Sequence, residues 1–247
     1  MTRITKHLAC AEVTVDMAGA MNLIAKKCFP KTEIVTDRFH VQKLASQAVQ
    51  EVRIRLRWEI IDVENEVIST LKNTTTIYKT EILENGETKR QLLARSRFTL
   101  FKSQEKWTDN QKERAVILFN LYPEIKKAYD LSQGLKSVFE TKTGKDVART
   151  KLALWYNKVE DENLKSFNTI KKTIQHHYKP ILNYFNNRNT NASAESFNAK
   201  IKAFRAQFRG VRDVTFFLYI DSLKFMLNLS SSPIIMLDPN KNKPHRF

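Results

Sequence analysis

Residues 12–37, EVTVDMAGAMNLIAKKCFPKTEIVTD, decide the fold. Glu12-Val13-Thr14-Val15 is a short β-branched run ending at Asp16, and Glu33-Ile34-Val35-Thr36 is a second ending at Asp37. Such residues suit a pleated, half-buried strand. Between them Met17 to Cys28 has helical composition, and Phe29-Pro30 closes it, because proline drives the preceding residue out of the helical region. Strand, helix, strand is a βαβ fragment. Two buried strands do not make a stable sheet alone, so the fragment's natural home is a larger sheet. Open α/β sheets bind ligands at the C-terminal ends of their strands, where both aspartates stand. Taken singly, each also suits a helix N-cap.

Beyond this fragment, five glycines and six prolines in 247 residues leave few breaks, so a mostly helical chain is expected. Val41 to about Arg57 reads as a basic amphipathic helix with Val41, Leu44, Ala48, Val52 and Leu56 on one face. Gln91 to Lys102, Thr108 to Tyr122, Glu124 to Thr141, Lys145 to Glu160 and Leu164 to Asn186 read as further helices. Leu118, Tyr122, Ile125, Tyr129, Leu135 and Phe139 are their expected core. Asn73 to Glu87 is either a loop or a hairpin, with Asn85-Gly86 as its turn signal. The expected architecture is α/β but predominantly helical. It has a partial sheet segment at 1–57, a helical insertion at 58–186, C-terminal helices of the same core at 187–230 and a tail at 231–247.

Forty-two Lys and Arg against 26 Asp and Glu give a net charge of +16. That excess favours a polyanionic partner through counterion release along a phosphate backbone. Cys10 and Cys28 lack metal-ligand spacing and read as small buried or half-buried thiols in a reducing compartment. Met1 to Ala11 has no apolar core of a secretion signal, and the apolar run Val214 to Ile220 stops at Asp221, far short of a membrane span. A cytoplasmic protein without membrane contact is expected.

Thr190 to Lys202 opens a helix with two opposed faces. At ~100° per residue, Glu195, Asn198, Lys202, Arg205 and Arg209 share one stripe and Phe197, Ile201, Phe204 and Phe208 the other. A carboxylate heading a row of amide and cationic groups suits a metal ion flanked by phosphate. The plain alternative is a first-turn glutamate favoured by the helix dipole. Asp16, Asp37 and Glu195 together offer the oxygen ligands that Mg²⁺ prefers. His40 either supports a metal ligand or packs beside Phe39. His176-His177 reads as a helical surface feature. Trp58, Trp107 and Trp155 read most simply as core, like Phe216-Phe217-Leu218-Tyr219.

Asp37-Arg38-Phe39-His40-Val41 resembles the D-R-F-H-V signature of DDE transposases from bacterial insertion sequences of the ISL-three family. Val13-Thr14-Val15-Asp16-Met17 resembles that family's V-x-x-D-M strand, and Arg90-Gln91-Leu92-Leu93 its R-x-L-L helix. Tyr122-Pro123 with Ala128-Tyr129 resembles its P-x-L-x-x-A-Y segment. Thr190-Asn191 with Glu195, Asn198 and Ile201-Lys202 resembles T-N-x-x-x-E-x-x-N-x-x-I-K. The resemblance implies an RNase H-like core interrupted by a helical insertion. It also implies Mg²⁺-dependent cleavage and strand transfer on DNA, with Mn²⁺ as a substitute ion and a homo-oligomer as the complete enzyme. Glu195 matches the last catalytic acid. Asp16 is preferred as the second, with Asp37 as runner-up and His40 in support. Asn198, Lys202, Arg205 and Arg209 are the expected DNA contacts.

The family's first aspartate lies well before the V-x-x-D-M strand, and Asp16 stands only fifteen residues after Met1. The expectation is a truncated or split transposase, inactive alone, whose missing strands come from an upstream polypeptide. The competing readings are a non-catalytic basic helical module that binds DNA, and a subunit fragment that docks on another transposase chain.

Overall fold

The computed structural model describes residues 12–72 and 78–190, together with Ser196, Ala199, Lys202, Ala203, Ala206 and Thr215. Residues 1–191 and 192–247 are separate compact units. In the first unit the expected βαβ fragment forms: β1 (Glu12–Val15), α1 (Gly19–Cys28) and β2 (Glu33–Thr36). The strands are parallel, with Val13 opposite Ile34 and Val15 opposite Thr36. Val15 and Val35 are buried, as is Ala25 of α1.

α2 runs from Arg38 to Leu71, 34 residues, about 51 Å at the rise of an α-helix. The apolar stripe of the sequence predicts a helix only to about Arg57. Its first half buries Val41, Ala45, Ala48, Val49 and Val52, and around this spine the helical block assembles. The second half continues as helix but buries no such stripe: Trp58, Val63, Val67 and Ile68 are exposed. Trp58 is therefore not a core residue, whereas Trp107 and Trp155 are anchored inside, donating their indole N–H to Thr99 O (2.9 Å) and Leu131 O (2.8 Å). Cys28 is exposed, against the expectation of a covered thiol.

Among residues 78–88, Ile82 bridges Thr88 in antiparallel fashion, and Gly86 turns the chain at φ 73°. The Asn85 carboxamide oxygen accepts from the Glu87 N–H (3.2 Å), so the Asn-Gly signal marks a tight turn. α3 (Lys89–Arg95) starts with a reciprocal cap between Thr88 and Gln91. It stops short of Lys102, the expected end. The buried Ser96 hydroxyl donates to Leu92 O (2.6 Å) and the Trp107 indole takes Thr99 O, leaving two 3₁₀ turns, Thr99–Phe101 and Gln104–Lys106. Side-chain bonds of this kind compete with helix continuation.

α4 (Asp109–Leu121), α5 (Pro123–Glu140) and α6 (Lys145–Glu162) follow. Pro123 opens α5 at its first turn, where its missing N–H costs nothing. Leu118, Ile125, Tyr129, Leu135 and Phe139 are all buried, and Tyr122 packs against them. The segment expected as one helix from Leu164 to Asn186 is two, α7 (Lys165–His176) and α8 (Tyr178–Asn187), broken at His177. Pro180 explains the break, since its ring collides with the carbonyl of residue i−4, His176.

α8 docks the sheet onto the helical block. Buried Asn183 donates to Ile34 O (3.0 Å) and accepts from Lys145 Nζ (3.0 Å). Asn186 and Asn187 reach the carboxylates of Glu33 and Glu12. Arg188 closes α8 in the left-handed region at φ 56° and donates to the carbonyls of Phe139, Thr141 and Thr143.

Candidate functional site

The last parallel pair, Val15 with Thr36, is closed by the Asp37 N–H, which donates to Val15 O (3.0 Å). Asp16 and Asp37 are thus the first residues beyond the paired ends Val15 and Thr36. The backbone brings both carboxylates to the same end of the sheet, on adjacent strands spaced about 4.8 Å apart.

Their environments differ. Asp37 is fully buried and N-caps α2, accepting from the Phe39 N–H through Oδ1 (3.0 Å). Its Oδ2 is buried without a hydrogen bond, as is Nδ1 of His40. These two atoms are 3.9 Å apart, too long for a hydrogen bond. Asp16 is half-buried. It accepts from the Ala18 N–H through Oδ1 (3.0 Å), which turns the chain toward α1 and leaves Oδ2 without a partner among the described residues. Asp37 therefore serves as a helix cap. Asp16 retains an accessible oxygen at a strand end, a hard donor of the kind Mg²⁺ takes.

Glu195, Asn198, Arg205 and Arg209 lie outside the described residues, as does Phe216-Phe217-Leu218-Tyr219. Lys202 is helical and exposed. Among the described residues no three His, Cys, Asp or Glu side chains cluster as a metal site. His176 and His177 sit at the α7–α8 break with rings edge to face, 4.8 Å between centroids. Burial, aided by His176, holds the His177 imidazole below its ordinary pKa.

Two features escaped the sequence reading. Buried Glu87 accepts from Arg114 Nε (3.1 Å) and Nη2 (2.7 Å), and from Arg95 Nη1 (3.0 Å), joining the turn at Gly86 to α3 and α4. Gln50 and Arg53 of α2 are also buried; Arg53 reaches Leu93 O within α3 and Gln50 reaches Arg97 O just after it. Both combine residues from elements distant in sequence, so no local pattern marks them.

A family model described as a transposase, the ISL-three type of DDE enzyme, matches residues 3–220. No curated protein and no solved structure matches the chain. No helix among the described residues is long and apolar enough to cross a membrane.

Proposed function

Because the chain belongs to the DDE transposase family of the ISL-three type, we propose that it takes part in metal-dependent cleavage and strand transfer at the ends of an insertion sequence. Asp16 and Glu195 are the carboxylates that serve this chemistry. The observation that carries the assignment is the contrast at the sheet end: Asp16 has an accessible oxygen, while Asp37 is enclosed and occupied in capping α2. The donor set fits Mg²⁺, or Mn²⁺ in its place, because both ions favour carboxylate oxygens completed by substrate phosphate. Mg²⁺ bound there supplies charge neutralisation at the scissile phosphate and lowers the pKa of the attacking water or hydroxyl.

The chain's own residues do the rest. The Ala18 amide fixes one oxygen of Asp16 and so orients the other. Asp37 holds the start of α2 against β2, and His40 lies one turn in, beside its unpaired oxygen. Asn198, Lys202, Arg205 and Arg209 grip DNA phosphates on the stripe headed by Glu195, and the +16 charge favours encounter with DNA. The working enzyme is a homo-oligomer in the cytoplasm.

Metal-dependent cleavage of DNA carrying the element's ends tests the reading. It is assayed with residues 1–247 alone and with the upstream coding sequence translated in frame. Cleavage lost on Asp16→Asn and on Glu195→Gln supports it; cleavage that survives both substitutions overturns it. DNA binding indifferent to Mg²⁺, with no cleavage in either format, supports a non-catalytic module instead.

A further inference from the structure

Between α2 and the 3₁₀ turn at Thr99–Phe101 lies a groove of about 450 Å³, bordered by Lys43, Gln50, Arg53, Ile54, Arg97 and Phe101. Its floor is built rather than incidental. Arg53 is 6% exposed; its Nε donates to Gln50 Oε1 (2.7 Å) and its Nη1 to Leu93 O (2.8 Å). Gln50 in turn donates to Arg97 O (3.2 Å), so one buried amide clamps both the Arg53 guanidinium and the turn bearing Arg97. Nη2 of Arg53 has no partner among the described residues. Arg57, one turn further along α2, has a buried Nε without a hydrogen bond and lines a separate cleft with Glu64.

No carboxylate among the described residues lines the groove, and none pairs with Lys43, Arg53 or Arg97. Their charges oppose one another: burial pushes the Arg53 guanidinium below its ordinary pKa, and nearby Arg57 and Arg97 push it further. Buried guanidinium groups normally have an anion beside them. A phosphate is the anion that fits, because its oxygens accept the fork of an arginine. Around the groove stand exposed apolar groups able to face a sugar or base. Phe98 lies under the Arg97 guanidinium at 5.4 Å, and Ile54, Trp58 and Phe101 are exposed.

We propose that this groove is a DNA phosphate-binding site, seating a backbone phosphate on Lys43, Arg53 and Arg97, with Ile54 and Phe101 of its rim, and Trp58 one turn beyond Ile54, toward the adjoining nucleotides. The choice of DNA rests on the function proposed above. Arg53 lies sixteen residues after Asp37 on α2, about 24 Å along the helix axis. A duplex reaching both would extend about seven base pairs between them.

The test uses the full chain in EDTA, with fluorescein-labelled duplex and single-stranded DNA read by anisotropy between about 50 and 200 mM KCl. The double variant Lys43→Gln with Arg97→Gln, both exposed cations of the groove, is compared with Lys158→Gln, an exposed lysine of α6 outside the groove. Far-UV circular dichroism and melting verify that the variants are folded. The double variant binds about tenfold more weakly, with a salt slope shallower by about one to two. Lys158→Gln stays within about twofold of the parent. DNA quenches tryptophan emission in the parent and not in Trp58→Phe. Affinity and slope of a folded double variant equal to those of Lys158→Gln overturn the proposal. Because EDTA removes any metal at the carboxylates, this failure is separate from failure of the cleavage test. Preference for duplex or single strand identifies which form of DNA the groove takes.

Discussion

Glu87→Gln is the most informative perturbation of the helical block. The side chain keeps its shape, but a charged acceptor becomes half donor. Wild-type Glu87 is 4% exposed and accepts three hydrogen bonds from Arg95 and Arg114, plus one from Asn85 Nδ2 (3.2 Å). Breaking one member of a buried ion pair costs ~3–5 kcal/mol. Here the Arg95 side chain is 59% exposed and that of Arg114 21%, so solvent screens part of the interaction and about 2 kcal/mol is expected. For a chain of this size that lowers Tm by roughly 4–8 °C.

The pH dependence gives a second handle on the same residue. Hydrogen bonding from Arg114 holds the Glu87 carboxyl below its ordinary value of 4.5, burial opposes the shift, and Arg95 reinforces it. A carboxylate with a depressed folded pKa contributes stability above its unfolded pKa and loses it as pH falls through the folded one. Urea unfolding of parent and variant should therefore differ most at neutral pH and converge in acid, below 4.5. A variant as stable as the parent at neutral pH, or a gap that stays constant into acid, refutes the argument.

Asp37→Ala is expected to cost about 1 kcal/mol through the lost N-cap of α2, with Asp37→Asn nearly neutral because Asn caps as well; hydrogen exchange at the Phe39 amide reports it directly. Asn183→Ala is expected to cost about 1–2 kcal/mol, because the part-buried Ile34 carbonyl loses its donor. Proteolysis near residues 29–33 should rise with it, as α8 loosens from β2. Leu135→Ala, at a fully buried site in α5, is expected to cost ~2–5 kcal/mol in urea unfolding.

The sheet end was legible because two β-branched runs, each closed by an aspartate, admit one parallel pairing with both acids at the same edge. Periodicity also found α4, α5 and α6 and their buried residues Leu118, Ile125, Leu135 and Phe139. It failed where helix and burial part company. α2 continues from Arg57 to Leu71 with Trp58, Val63 and Val67 facing outward, so the apolar stripe ended before the helix did. It failed again where one side chain breaks a good helical pattern, as Pro180 does between α7 and α8, and Ser96 with Trp107 after α3. Strand ends and capping potential did not distinguish Asp16 from Asp37, and the preference for Asp16 came from the resemblance. In the fold their surroundings differ chiefly in burial. The clamp of Gln50, Arg53 and Arg97 joins residues more than forty positions apart, a proximity that only the folded chain creates.

Asp16, not the enclosed Asp37, is proposed as the strand-end acid of the cleavage reaction, with Glu195 as the other carboxylate. Mg²⁺-dependent cleavage of element-end DNA by Asp16→Asn, Asp37→Asn and Glu195→Gln, made in whichever format cleaves without substitution (residues 1–247 alone or extended upstream) and each with its DNA affinity in EDTA verified, tests this most directly. Cleavage abolished in the first and third and retained in the second is the predicted result. Cleavage retained in Asp16→Asn and abolished in Asp37→Asn contradicts it.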